Sequence, residues 1–171
     1  GAPVLIARAL DWACAQSGRE LTASEIEKVK ARFNFYYGEN LCNISRLYPN
    51  VKETLENLKE KGYTLAVVTN KPTRHVQPVL AAFSIDHLFS EMLGGQSLPA
   101  IKPHPGPLYY LCGKFGVEPR QILFVGDSKN DILAAHAAGC PAVGLTYGYN
   151  YNMPISDSNP DWVFDDFSQL L

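Results

Sequence analysis

ILFVGDSKNDILAAHAAGCPAVGL, residues 122–145, decides the fold class. Ile122 to Val125 is a short apolar run and reads as a strand. Gly126-Asp127-Ser128 then breaks it, and a helical stretch from about Asn130 to Ala138 ends at Gly139. Ala142 to Leu145 is a second apolar run of strand length. A strand, a helix and a strand within 24 residues form a parallel crossover unit, because parallel strands need a connection long enough to return the chain to the same end of the sheet.

Working outward, the same alternation continues upstream. Val51, Leu55 and Leu58 form a helical stripe ended by Gly62, and Thr64 to Thr69 (TLAVVT) reads as a short buried strand. A helix carrying Val76, Val79, Leu80 and Phe83 follows, then a weak strand near Glu91 to Leu93. Pro105 suits the first turn of a further helix with the stripe Leu108, Leu111, Cys112 and Phe115, stopped by Gly116. The expectation is a three-layer α/β core, a parallel sheet with helices on both faces, from residue 48 to 171. Residues 1–47 differ. Val4, Leu5, Leu10 and Trp12, then Ile26, Val29, Phe33, Tyr36 and Tyr37, recur at helical spacing with no strand between, and Thr22 or Ser24 caps the second helix.

Composition narrows the function. With 15 basic and 17 acidic side chains the net charge is -2, so no broad basic face exists for nucleic acid and any anion must be held locally. No apolar run reaches the roughly 20 residues that span a bilayer, and the first residues lack a signal-peptide pattern, so the expected location is the cytoplasm, without a membrane partner. Cys14, Cys42, Cys112 and Cys140 form no C-x-x-C pair and read as buried free thiols.

In parallel sheets ligands gather at the carboxyl ends of the strands. That places Thr69-Asn70, Lys102 and Asp127 together for consideration. Thr69 and Asn70 offer a hydroxyl, an amide and backbone N–H groups to phosphate oxygens. Lys102, stiffened by prolines at 103, 105 and 107, offers a fixed positive charge. Asp127, with Asp131 four residues on, offers oxygen to a hard cation such as Mg2+. Taken singly, each has a plainer reading: a turn aspartate, a helix cap at Asn130 or Asp131, a polar loop, a solvated lysine. His75 reads as an exposed helix residue and His104 as a solvated loop residue.

The ordered set is more specific. VVTNKP, IKPHPGPL and LFVGDSKNDILAAHAAGCPAVGL resemble the second, third and fourth motifs of the haloacid dehalogenase superfamily, and the resemblance spans nearly the whole chain. GLTYGYNYN is similar to bacterial phosphoglycolate phosphatases, and the helical opening through FYYGENL resembles part of the cap of that family. The resemblance implies a Rossmann-like parallel core with a partial helical cap. It also implies a Mg2+-dependent phosphomonoester hydrolase working through a phospho-aspartyl intermediate, with 2-phosphoglycolate as the favoured small phosphorylated metabolite. Thr69 and Lys102 would act in catalysis, Thr69, Asn70 and Lys102 would bind substrate, Asp127 would ligate the metal, and Asp131 would support it without direct coordination.

The family's first motif, Asp-x-Asp after an N-terminal strand, has no counterpart. Asp165-Asp166 has the wrong spacing, and Asp11 lies in a helical pattern. The expectation is therefore that about 60 residues holding the nucleophile and a central strand are missing, between the strand ending at Thr69 and the one ending at Val125, and that this chain alone is inactive. Three other readings stand beside it: a capped relative acting on sugar phosphates, phosphatase or phosphomutase; a noncatalytic phosphate-binding fragment; and a phospho-acceptor receiver domain, disfavoured by motif order.

Overall fold

The computed structural model describes residues 2–171, with Ala2 and Pro3 as backbone only. Its contacts divide the chain into residues 1–46 and 47–171.

The first unit is two helices, α1 (Ala2–Ser17) and α2 (Ala23–Glu39). Thr22, not Ser24, starts α2. Its hydroxyl oxygen accepts the Glu25 N–H at 3.3 Å while the Glu25 carboxylate accepts the Thr22 N–H at 2.9 Å. This reciprocal cap satisfies two donors that the first helical turn leaves without partners. Leu5, Ile6, Ala9 and Leu10 of α1 line one apolar groove with Val29 and Phe33 of α2.

The second unit opens with α3 (Val51–Glu60) and alternates from there: β1 (Leu65–Val68), α4 (Val76–Ala82), β2 (Phe89–Leu93), α5 (Gly106–Phe115), β3 (Phe124–Gly126), α6 (Lys129–Ala138), β4 (Ala142–Leu145) and β5 (Trp162–Phe164). Gly116 and Gly139 stop α5 and α6 at φ of 65° and 79°, the left-handed conformation that closes a helix and costs a glycine little. All pairings are parallel, but they make two sheets rather than one. β1 pairs with β2, and β3-β4-β5 form a second sheet in that order.

Several local expectations change. The strand expected at 122–125 lies at 124–126, because Pro119–Gln121 wind into a 3-10 turn that Ile122 closes, leaving Leu123 exposed. The 64–69 strand is half-buried, not buried, since β1 has a neighbour on one edge only among the described residues. β5 was not foreseen. Its residues are largely exposed, so WVF carries no buried-strand pattern, and pairing with β4 alone makes it a strand. Of the four free cysteines only Cys140 is buried, and burial pushes its thiol up to about 11.

The principal core holds Leu108, Leu111, Phe124, Ile132, Ala134, Ala135 and Ala142, with Ala66 and Val68 of β1 packed against it. Both sheets therefore feed one apolar cluster. α6 packs on β3 and β4, which fixes its first turn next to the end of β3.

Candidate active site

Lys102 organises the strand ends. Its Nζ donates to the Val68 carbonyl and to Asp131 Oδ1, each at 2.6 Å, and stands 5.4 Å over the Phe124 ring. The ammonium thus joins the last residue of β1 to the first turn of α6. Its side chain is 12% exposed and that of Asp131 6%, so the pair interacts where water screens little.

Asn70 accounts for the position of Lys102. Its Nδ2 donates to the Lys102 carbonyl at 2.8 Å and its Oδ1 accepts the Lys102 N–H at 3.1 Å. A side-chain amide with both faces on one residue's main chain acts as a strap for that residue. The amide thereby holds the lysine loop, and its second Nδ2 proton is not used by either bond.

Asp131 is likewise committed. Oδ1 takes Lys102, and Oδ2 accepts both the N–H and the hydroxyl of Ser128, at 3.0 and 2.7 Å. Ser128, rather than Asn130 or Asp131, is the N-cap of α6, and Asp131 completes the capping box at its third position. The close approach requires Gly126, where an added Cβ would come within 2.3 Å of Asp131 Cβ.

Thr69 extends the β1 ladder by donating its N–H to the Leu93 carbonyl at 2.9 Å. Its Oγ1 accepts the Lys71 N–H at 3.1 Å, which leaves the hydroxyl proton to donate elsewhere. Asp127 follows the last residue of β3, half-buried. Its Oδ2 accepts the Tyr149 N–H at 3.1 Å, while Oδ1 makes no hydrogen bond among the described residues.

Mg2+ characteristically takes one or two protein carboxylates and completes its shell with water and phosphate oxygens. Asp127 Oδ1 suits one such position. Asp131 already accepts Lys102 on Oδ1 and Ser128 twice on Oδ2, which makes it the poorer candidate for direct ligation. No group of three or more His, Cys, Asp or Glu that would enclose a metal occurs among the described residues.

The structure thus brings Lys102 to the end of β1 beside Thr69, and through Asp131 to the loop that carries Asp127. His104 is exposed and accepts the Gly106 N–H at 2.9 Å. His75 is buried, contrary to expectation, because the chain turns through a 3-10 segment before α4, and burial lowers its pKa. Asp166 caps the C-terminal 3-10 turn and accepts from the Asn50 amide at 3.0 and 2.8 Å, a structural use consistent with its exclusion from the site. Sequence reasoning missed the Asn70 strap and the contact of residues 148 and 149 with Asp127; for the latter the only signal was the Tyr-Gly-Tyr-Asn run itself.

The model of the haloacid dehalogenase-like hydrolases matches residues 6–145. The chain is 85% identical over 171 residues to a phosphoglycolate phosphatase of Haemophilus influenzae (strain 86-028NP), covering all of this chain and 76% of that protein. It is 78% identical to one of Mannheimia succiniciproducens, again across the whole chain and 76% of the relative. Among solved structures, that of a predicted phosphoglycolate phosphatase from Haemophilus somnus 129pt superposes with a TM-score of 0.96 at 74% identity, covering 99% of this chain and 76% of that one.

Proposed function

This chain belongs to the haloacid dehalogenase-like hydrolase family, and from that membership and the strand-end geometry we propose that it serves the Mg2+-dependent hydrolysis of 2-phosphoglycolate in the cytoplasm. The observation that carries the reading is the Lys102 bridge. An ammonium has three N–H groups, and the Val68 carbonyl and Asp131 take two. The third is left for a phosphoryl oxygen or an attacking carboxylate, held in advance so that little reorganisation accompanies the reaction.

In this reading Thr69 donates its free hydroxyl proton to the phosphoryl group, and Asn70 keeps Lys102 in register. Asp127 presents Oδ1 to the cation, and Asp131 balances the lysine's charge. Bound Mg2+ would neutralise phosphate charge and orient the group for in-line attack. The nucleophile is not among these residues, since the sequence holds no Asp-x-Asp pair. We assign it to a strand between β1 and β3, supported by two observations: each of these strands pairs on one edge only among the described residues, and both contribute to one core cluster. Residues 1–47 we assign to part of a cap that selects the substrate.

Two measurements test the reading. Phosphate release by the 171-residue polypeptide, checked by mass for co-purifying fragments, should be undetectable with Mg2+. Turnover that Asp127→Asn abolishes would show a working site built from these residues alone. For protein that includes the Asp-x-Asp segment, kcat/KM for 2-phosphoglycolate should exceed that for hexose phosphates; the reverse order would move the assignment to a sugar phosphatase.

A further inference from the structure

β4 runs beside β3 with Gly144 opposite Gly126, so the chain leaving β4 passes over the loop leaving β3. Three successive residues there touch that loop or the first turn of the helix after it. Gly148 lies so close that an added Cβ would be 2.1 Å from Asp127 Cβ and 2.2 Å from Oδ2. The Tyr149 N–H donates to Asp127 Oδ2 at 3.1 Å. Asn150 Oδ1 accepts the Lys129 N–H, in the first turn of α6, at 2.9 Å, while its Nδ2 donates to the Met153 carbonyl at 3.0 Å.

The contact with Asp127 is made by backbone. The Tyr149 side chain is not what holds the carboxylate, the residue being 85% exposed. The preceding Tyr147 anchors the segment on its other side. Its ring lies 4.6 Å from that of Tyr48, and its hydroxyl is buried with no hydrogen-bond partner among the described residues.

We propose that Gly148 and Asn150 are positioning residues that fix the rotation of the Asp127 carboxylate, committing Oδ2 to the Tyr149 N–H so that Oδ1 alone faces a divalent cation. Gly148 admits the carboxylate against the backbone, and Asn150 ties the passing segment to the start of α6. The N–H of residue 149 therefore stays over Asp127. This inference rests on the assignment of Asp127 as a cation ligand. Groups that orient a ligand commonly govern affinity by tenfold or more.

The test is Mn2+ binding by electron paramagnetic resonance, on protein that includes the Asp-x-Asp segment, with turnover titrated against Mg2+ in parallel. Gly148→Ala and Asn150→Ala should each weaken Mn2+ binding about tenfold. The Asn150→Ala enzyme should regain most of its turnover at saturating Mg2+, a recovery that general damage to the fold does not permit. Tyr151→Asn, an exposed neighbour at φ 54° where asparagine is well tolerated, should bind Mn2+ as the parent does. If Gly148→Ala fails to fold, Asn150→Ala decides alone. Parent-like Mn2+ affinity in Asn150→Ala, or an equal loss in Tyr151→Asn, overturns the positioning role while leaving the metal assignment intact. Asp127→Asn separates the two ideas: if it binds Mn2+ like the parent, the ligand assignment falls and this inference with it.

Discussion

The two sheets of the second unit use similar strands and reach different ends. AVGL of β4 is buried at every residue, whereas LAVV of β1 is half-buried at every residue. Neither hydrophobicity nor length explains this. β4 has β3 on one edge, β5 on the other and α6 packed against it, while among the described residues β1 pairs with β2 alone. Burial of a strand is a property of its neighbours. Lys102 ties the end of the less protected sheet to the helix packed on the other.

The largest expected effect is at that tie. Lys102→Ala leaves the Asp131 carboxylate buried without its cation, which typically costs about 3–5 kcal/mol, and in protein that includes the Asp-x-Asp segment it should also remove turnover. Urea unfolding of Lys102→Ala beside a Lys102→Met, Asp131→Leu double variant checks the origin of the loss. If the charge is responsible, the double variant should recover much of it; equal instability in both would shift the cause to the lost Val68 contact or to the α6 cap that Asp131 completes with Ser128.

Next come the cores. Ile132, fully buried in α6 over the larger sheet, should cost about 2–5 kcal/mol on truncation to Ala. Val67→Ala in β1 should cost about 1 kcal/mol, since fewer methyl groups leave a half-exposed site. Equal losses in thermal or urea melts would erase the distinction between the sheets.

Hydrogen exchange should show the same order without mutation. In the 171-residue polypeptide, amides of β1 and β2 should exchange faster than those of β3 and β4, because local opening is easiest where fewest partners are lost. Uniform protection across both pairs would mean that they open as one unit.

The smallest effect concerns pH. Glu91, on β2, is held below its ordinary carboxylate value of 4.5, chiefly by the hydrogen bond from the Lys114 side chain of α5. A depressed carboxylate contributes stability that is fully present above its unfolded value and lost as pH falls through the folded one. Acidification below about 4.5 should therefore loosen β2 from α5, and Glu91→Gln should flatten that part of the pH profile in β2 exchange rates. An unchanged acid limb in Glu91→Gln would assign the loosening elsewhere.

Elements whose signals are local were legible in the sequence. The glycine stops at 116 and 139, a cap at one of Thr22 and Ser24, and the alternation of helices and strands are written within a few residues of where they act. Strand-end placement likewise pointed to Thr69, Lys102 and Asp127 before any coordinates. What was not legible lacked a local pattern. β5 has an exposed face, and His75 is buried by a turn rather than by an apolar period.

By itself, then, the sequence determined the class of fold, the approximate ends of its elements and the residue types available at the strand ends, because short-range sterics and hydrophobic period act over a turn or a strand. The tertiary structure decided how those residues are employed. Lys102 finds its two acceptors 34 residues before it and 29 after it, Asn70 straps a main chain 32 residues away, and Asp127 is held by a backbone N–H 22 residues on. Such partners meet only because packing brings distant loops to one end of the strands. No local pattern encodes a hydrogen bond whose two halves lie tens of residues apart.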